Sequence, residues 1–258
     1  MNVLGVIPSR FGATRLPGKP LELIGDKSVI QRVYEQCVVA ELFDKVIVAT
    51  DDDRIFSHVK SFNGEVMMTG EYHESGTQRC GEVLMNLEDV GEEYDVIVNI
   101  QGDEPFINPK QLEIVLSVFD EDPEAEVVTL AKKITSLDEL LAPHTVKVVM
   151  TDLEEDEIAR DALYFSRQPI PYLRGVDQKD WLTKETYYKH IGVYAFSVEE
   201  FHQIIQLEPS PLEAAEGLEQ LRWVANHFTI QVAETDLETI GIDTPEDLER
   251  ARKLIEQD

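Results

Sequence analysis

Three cations share one short loop. Arg10, Arg15 and Lys19 lie within RFGATRLPGKPL (residues 10–21), directly after the apolar run VLGVI. Cations spaced along a glycine-containing loop can hold a phosphate chain from several sides, helped by backbone N–H groups at the Gly12 and Gly18 turns. The stretch comes close to a P-loop, but its glycines are one residue too far apart. Pro20 also stands where a magnesium-binding Ser or Thr would be. Because proline disfavours the helical region for the residue before it, Lys19 is expected to be extended and the first helix to start near Ser28. The loop then runs as an irregular basic strap over the carboxyl end of the first strand, where ligands sit in open α/β sheets.

Two aspartates could complete such a site. Asp103, in VIVNIQGDEP (96–105), follows an apolar strand by a few residues, and Gly102 before it permits close approach of backbone or ligand. A carboxylate there could hold Mg²⁺ against phosphate oxygens, or simply close a strand-to-helix turn. Asp243, in GIDTPEDLERAR (241–252), precedes a helix start in which Thr244 is the N-cap and Pro245 the first helical residue. Asp247 is a shorter stand-in for the capping-box glutamate. Asp243 is not needed for that cap and could be a second magnesium ligand. HESGTQR (73–79) offers Ser75 and Gly76 for close approach by a nucleobase, with Arg79 on the first helical turn. HIGVYAF (190–196) and LEQLR (218–222) contribute His190, Tyr194, Glu219 and Gln220, which fit a core strand and an amphipathic helix as readily as a site.

The elements that must position these residues alternate. Strands are expected at 3–8, 45–50, 65–69 and 95–100, and helices at 28–40, 52–62, 77–87 and 109–119. This continuous-apolar strand pattern belongs to a parallel sheet covered on both faces. From about 125 the chain is β-richer, with strand-like pieces in EVVTLAKKI, TVKVVMT, ALYFSR and HIGVYAFS. An irregular excursion is expected at 169–181, one helix over PLEAAEGLEQLRWVANH (211–227), a strand TIQVAET and a final helix. One α/β domain over 1–258 fits this order, with a β-richer portion at about 125–200.

Composition narrows the function classes. The 258 residues carry 51 acidic and 23 basic side chains, a formal net charge of −28. That balance excludes a nucleic-acid backbone as partner, and any bound phosphate needs the local reversal of sign that the 10–19 cluster provides. No apolar run approaches the roughly 20 residues of a membrane span, no signal peptide is read at the start, and Cys37 and Cys80 have no metal-site spacing. A cytoplasmic protein is expected.

IPSRFGATRLPGKPL, ATDD, HESGTQR, NIQGDEP, ALYFSRQPIP, HIGVYAF, LEQLR and GIDTPEDL follow one another here, from residue 3 to about 252. In order and spacing this set resembles the 3-deoxy-manno-octulosonate (Kdo) cytidylyltransferases, or CMP-Kdo synthetases. The resemblance implies a Rossmann-like nucleotidyltransferase fold, a homodimer, and transfer of CMP from CTP to Kdo with release of pyrophosphate. It implies that Arg10, Arg15 and Lys19 hold the triphosphate, that Ser75, Gly76 and Arg79 lie around the cytidine, and that Asp103 and Asp243 bind Mg²⁺. The sugar acid would meet Gln101, Arg167, His190, Tyr194, Glu219 and Gln220, with Gln101 also reaching CTP. Gln78 and His144 depart from the family pattern, where an acidic residue and an Asn are common. Cytidylyltransfer to sialic acid or 8-amino-Kdo is an alternative, as is a non-catalytic nucleotide-binding relative.

Overall fold

The computed structural model describes residues 1–12, 16–153 and 157–255. Its contacts divide the chain into two compact units. One comprises Met1–Glu113 and Glu238–Asp258, the other Ile114–Leu237.

The first unit is built on four parallel strands: β1 (Val3–Ser9), β2 (Lys45–Thr50), β3 (Val66–Met68) and β4 (Val96–Asn99). They lie in the order β3-β2-β1-β4. Nearly every residue of β1, β2 and β4 is buried, so both sheet faces are covered, as their uninterrupted apolar sequence requires. Helices α1 (Val29–Val39), α2 (Asp53–Ser61) and α3 (Gly76–Glu88) alternate with the strands, and α4 (Pro109–Glu121), of which the first five residues belong to this unit, follows β4. Ser28, Asp52 and Ser75 cap the first three, each side chain accepting a backbone N–H of the opening turn. These elements match the sequence expectation to within one or two residues at most ends.

Lys19 is the local exception. It opens a single 3-10 turn, Lys19–Leu21, rather than an extended segment. Gly18, at φ 74°, takes the left-handed conformation that reverses the chain there, and its N–H donates to the Phe11 carbonyl at 2.9 Å. The turn supplies Pro20 with the fixed φ it needs, and that outweighs the extended bias on the residue before it.

The second unit is mainly antiparallel. Its strands are β5 (Val127–Lys133), β6 (Lys147–Met150), β7 (Ala159–Ser166), β8 (Tyr188–Ser197) and β9 (Ile230–Glu234). Pairing runs β8-β5-β9-β7-β6, and β6 also pairs with β8, so the five strands form a closed circuit; only β5 and β9 run parallel. The helix expected over 211–227 is two helices, Pro211–Glu216 and Gln220–Ala225. Gly217, at φ 63°, ends the first in a left-handed C-cap. Short helices at Leu137–Leu141 and Val198–Ile204 went unread in the sequence.

Glycine also decides where the QGD turn sits. A Cβ on Gly102 would lie 2.7 Å from the Pro8 carbonyl oxygen, so the turn after β4 can close on the end of β1 only without a side chain. Gly102→Ala is expected to destabilise the protein by about 1–3 kcal/mol, seen as a lower urea midpoint. An unchanged midpoint would show that the two segments separate at no cost.

Candidate active site

The first unit gathers most of the triphosphate and metal set at the carboxyl ends of β1 and β4. A cavity of about 280 Å³ is lined by Ser9, Arg10, Gly12, Lys19, Gly76, Gln101 and Asp103, among others. The Lys19 ammonium in its lining donates to Asp103 Oδ2 at 2.7 Å and to Asp243 Oδ1 at 3.4 Å. Asp103 and Asp243, 140 residues apart in the chain, are therefore brought to one cation.

Backbone and core hold them there. The Ile242 N–H donates to the Asp103 carbonyl at 2.8 Å, joining the two carboxylate-bearing segments. Ile242 packs with Ile24, Val29, Leu248 and Ala251, so one apolar cluster anchors the last helix, Pro245–Ile255, beside the segment that follows the basic loop. The capping box is realised: Asp247 Oδ2 accepts from the N–H groups of Asp243 and Thr244 at 3.1 and 2.9 Å, and Asp247 N–H donates back to Thr244 Oγ1. Asp247 thereby fixes the backbone of Asp243.

Arg10 lines the cavity, and burial and the nearby Arg79 charge lower its pKa while Asp51 and Glu74 raise it. Arg79 is fully buried and does not line the cavity. Its guanidinium donates to Asp51 Oδ2 at 2.5 Å and to Thr69 Oγ1. Asp51, in the ATDD segment, is thus the countercharge to Arg79, a role no sequence spacing announced. Ser75 spends its side chain as the α3 cap, leaving Gly76 at the cavity wall. Gln78, where an acid is common, still supplies an acceptor, to the Glu74 N–H at 2.8 Å. Phe11 lies against Gly18, with the Arg54 guanidinium 3.2 Å from its ring centroid, and so clamps the two ends of the loop. Arg15 falls outside the described residues. Ser9, which nothing but its place in IPSR marks out, has a buried hydroxyl at the cavity wall with no partner among the described residues.

The donor set suits a divalent cation. An ammonium already stands between the two carboxylates, and among the described residues no group of three or more acidic, His or Cys side chains forms a fuller ligand shell. Mg²⁺ characteristically uses one or two carboxylates and completes its octahedron with phosphate oxygens and water.

The second unit assembles most of the expected sugar contacts. His190 and Tyr194 lie on β8 at either side of a bulge: Ile191 pairs with Leu130 and Tyr194 with Thr129, so Gly192 and Val193 are extra. Four residues of regular strand would span about 13 Å; the bulge brings the two ring centroids to 5.1 Å. Thr129 Oγ1 reaches the carbonyls of Ile191 and Val193 at 3.1 and 2.7 Å and lies 3.0 Å from His190 Nε2. Its single hydrogen serves the carbonyls, so the ring donates from Nε2 and keeps Nδ1 as an acceptor. Desolvation pushes the His190 pKa down to about 3, and the ring is neutral. Tyr194 is 6% exposed, and its hydroxyl has no partner among the described residues. Burial and the Glu219 charge hold its pKa well above the ordinary value. Gln220 is buried at the start of its helix.

Arg167, at the end of β7, donates to the carbonyls of Glu216, Gly217 and Pro143 at 2.7, 3.2 and 3.3 Å. Beneath it the fully buried Lys147 donates to the carbonyls of Ala142, Thr145 and Arg167. Burial, then the Arg167 charge, lowers the Lys147 pKa, and Glu216 opposes them. His144 lies exposed in the loop so pinned. A separate cavity of about 400 Å³ is lined by Glu121, Asp122, Asp152, Glu157 and Asp161. Its charge repels anionic substrates.

The Cytidylyltransferase family profile matches residues 4–240. The 3-deoxy-manno-octulosonate cytidylyltransferase of Bacteroides thetaiotaomicron is 49% identical over 255 residues, covering 99% of this chain and 98% of that protein. This chain belongs to the 3-deoxy-manno-octulosonate cytidylyltransferase family. The cytidylyltransferase of that name from Geobacter sulfurreducens is 43% identical, with 97% and 98% of the two chains covered. A solved structure of CMP:2-keto-3-deoxy-manno-octonic acid synthetase complexed with CTP is 41% identical, with a TM-score of 0.89 over 100% of this chain and 99% of that one. UDP-glucose pyrophosphorylase, 15% identical over 100% of this chain and 99% of that one, shares the fold at a TM-score of 0.68. The cytidylyltransferase therefore has the Rossmann-like nucleotidyltransferase fold.

The neutral His190 has a measurable consequence. Its folded pKa lies below the ordinary 6.5, so between about pH 6.5 and 3 the unfolded chain binds more protons and stability falls as pH falls. His190→Asn is expected to lessen that acid-side loss, by up to about 1.4 kcal/mol per pH unit, in urea unfolding from pH 7 to pH 4. Parallel pH curves for the two proteins would contradict the buried neutral assignment.

Proposed function

We propose that this chain transfers CMP from CTP to Kdo, giving CMP-Kdo and pyrophosphate, as a Mg²⁺-dependent enzyme of lipopolysaccharide biosynthesis. The observation that carries the reading is the cavity lined by Arg10, Lys19 and Asp103, where cations suited to phosphate meet the Asp103–Asp243 pair through the Lys19 ammonium. A relative at 41% identity was solved with CTP bound, and full-length relatives carry the Kdo cytidylyltransferase name.

In this reaction a sugar hydroxyl attacks the α-phosphorus in line, and the bond to the pyrophosphate oxygen breaks. No covalent enzyme intermediate is required, so the protein positions the reactants and stabilises charge. Arg10, Arg15 and Lys19 hold the triphosphate and stabilise the departing pyrophosphate. Ser75, Gly76 and Gln101 border the nucleotide, and Arg79 supports that wall through Asp51 from beneath. Asp103 and Asp243 would hold Mg²⁺, which when bound would neutralise phosphate charge and polarise the reacting phosphate.

The sugar acid is received in the second unit by Arg167, His190, Tyr194, Glu219 and Gln220. The unpartnered Tyr194 hydroxyl favours this, because a buried polar atom without a protein partner is satisfied by a ligand. Neutral His190 offers Nδ1 to a sugar hydroxyl, and Arg167 carries the charge that a carboxylate needs. Among the described residues no helix is long and apolar enough to cross a membrane. We place the enzyme in the cytoplasm, as a homodimer.

Pyrophosphate release with CTP and Kdo tests the reading. It is expected with Mg²⁺ and lost on chelation, while Asp103→Asn lowers kcat on the order of 10²–10³-fold in a folded protein. Full activity of that variant would remove Asp103 from the machinery. Release with sialic acid or 8-amino-Kdo but not with Kdo would reassign the acceptor.

A further inference from the structure

The cation that closes the acid pair belongs to the protein. Lys19 Nζ lies 2.7 Å from Asp103 Oδ2 and 3.4 Å from Asp243 Oδ1, and its side chain is only 13% exposed. The backbone at both ends of this lysine is fixed: its N–H donates to Leu16, and its carbonyl accepts from Glu22, each at 3.1 Å. The four-carbon stem is the movable part, carrying a compact charge that can re-aim without the loop moving. The same residue lines the cavity with Arg10 and Gly12.

We propose that Lys19 is an internal substitute for the metal, neutralising Asp103 and Asp243 while the site is empty and yielding them to a divalent cation only when a triphosphate gives its ammonium a new partner. The inference rests on the reading of Asp103 and Asp243 as the metal ligands, and adds to it how metal and nucleotide binding are coupled.

Three physical facts drive it. The Asp103–Ile242 backbone bond and the Asp247 cap hold the acid-bearing segments together whether or not a cation is present. Two facing carboxylates in a chain of net charge −28 need a positive partner. A metal arriving alone must displace the ammonium before any phosphate is there to receive it, and among the described residues it gains the two carboxylates of Asp103 and Asp243 against its own hydration. A metal arriving with CTP meets neither obstacle, since the phosphates receive Lys19 and complete the metal's shell. Coupling of this kind is reciprocal: the lysine that weakens lone-metal binding makes nucleotide and metal bind as a unit.

Mn²⁺ binding followed by electron paramagnetic resonance, without nucleotide or sugar, reads the coupling independently of turnover. Lys19→Met is expected to bind Mn²⁺ roughly tenfold more tightly than the unsubstituted protein, and adding Asp103→Asn to it should remove the gain. Lys19→Gln should behave like Lys19→Met, and Lys19→Arg, which keeps the charge, should stay weak. Circular dichroism confirms that each variant folds. Equal Mn²⁺ affinity in Lys19→Met, Lys19→Gln and the unsubstituted protein would overturn the proposal. The underlying metal reading is tested separately, by titrating Mn²⁺·CTP onto the Asp103→Asn and unsubstituted proteins. If Asp103→Asn alters Mn²⁺ binding in no background, that reading falls as well.

Discussion

A lysine ammonium between two aspartates is the interaction on which this site depends. Asp103 ends the turn after β4, Asp243 precedes the last helix, and Lys19 opens the 3-10 turn after β1. Each position has its own local cause: Gly102 lets the QGD turn close on Pro8, Gly18 reverses the chain before Lys19, and the Thr244–Asp247 box starts the helix. The Ile242–Asp103 backbone bond and the cluster around Ile24 and Leu248 then make one assembly of three segments distant in sequence. Like charges that would repel become a preorganised pair because a cation is built in with them.

That arrangement suits an overwhelmingly acidic chain that binds an anionic substrate. Its net charge of −28 opposes every phosphate that approaches, and the opposition is cancelled only where cations are concentrated. Arg10 and Lys19 stand at the cavity, while Arg79 is buried behind it with Asp51 as its partner. In the second unit Arg167 and Lys147 are likewise held in place by backbone carbonyls, and the desolvated His190 is neutral.

The strands of the first unit and the helices between them were legible because their signals are local: apolar runs, Ser and Asp caps, and a proline at the first helical position. The paired aspartates were legible as candidates because each sits in a turn with no structural need for it. What eluded the sequence is set by contacts across it. Lys19 takes a 3-10 turn because Gly18 and Phe11 close the loop against its extended bias. The amphipathic stretch at 211–227 reads as one helix, since its pattern continues through Gly217, yet the left-handed glycine breaks it. The HIG-x-Y spacing makes sense only with the bulge at Gly192–Val193, which turns a strand separation into ring contact. Asp51 and Glu216 carry no local signal, because their partners Arg79 and Arg167 lie elsewhere in the chain, and Lys147 is singled out only by the carbonyls of Ala142, Thr145 and Arg167 that the fold gathers around it.

The most direct measurement is a crystal structure of the protein soaked with Mn²⁺ and CTP, with the metal located by anomalous scattering. The account predicts a Mn²⁺ peak bonded to both Asp103 and Asp243, with the Lys19 ammonium moved from the carboxylates to the phosphates. A peak held by phosphate oxygens alone, with Lys19 still bridging the two aspartates, would contradict it.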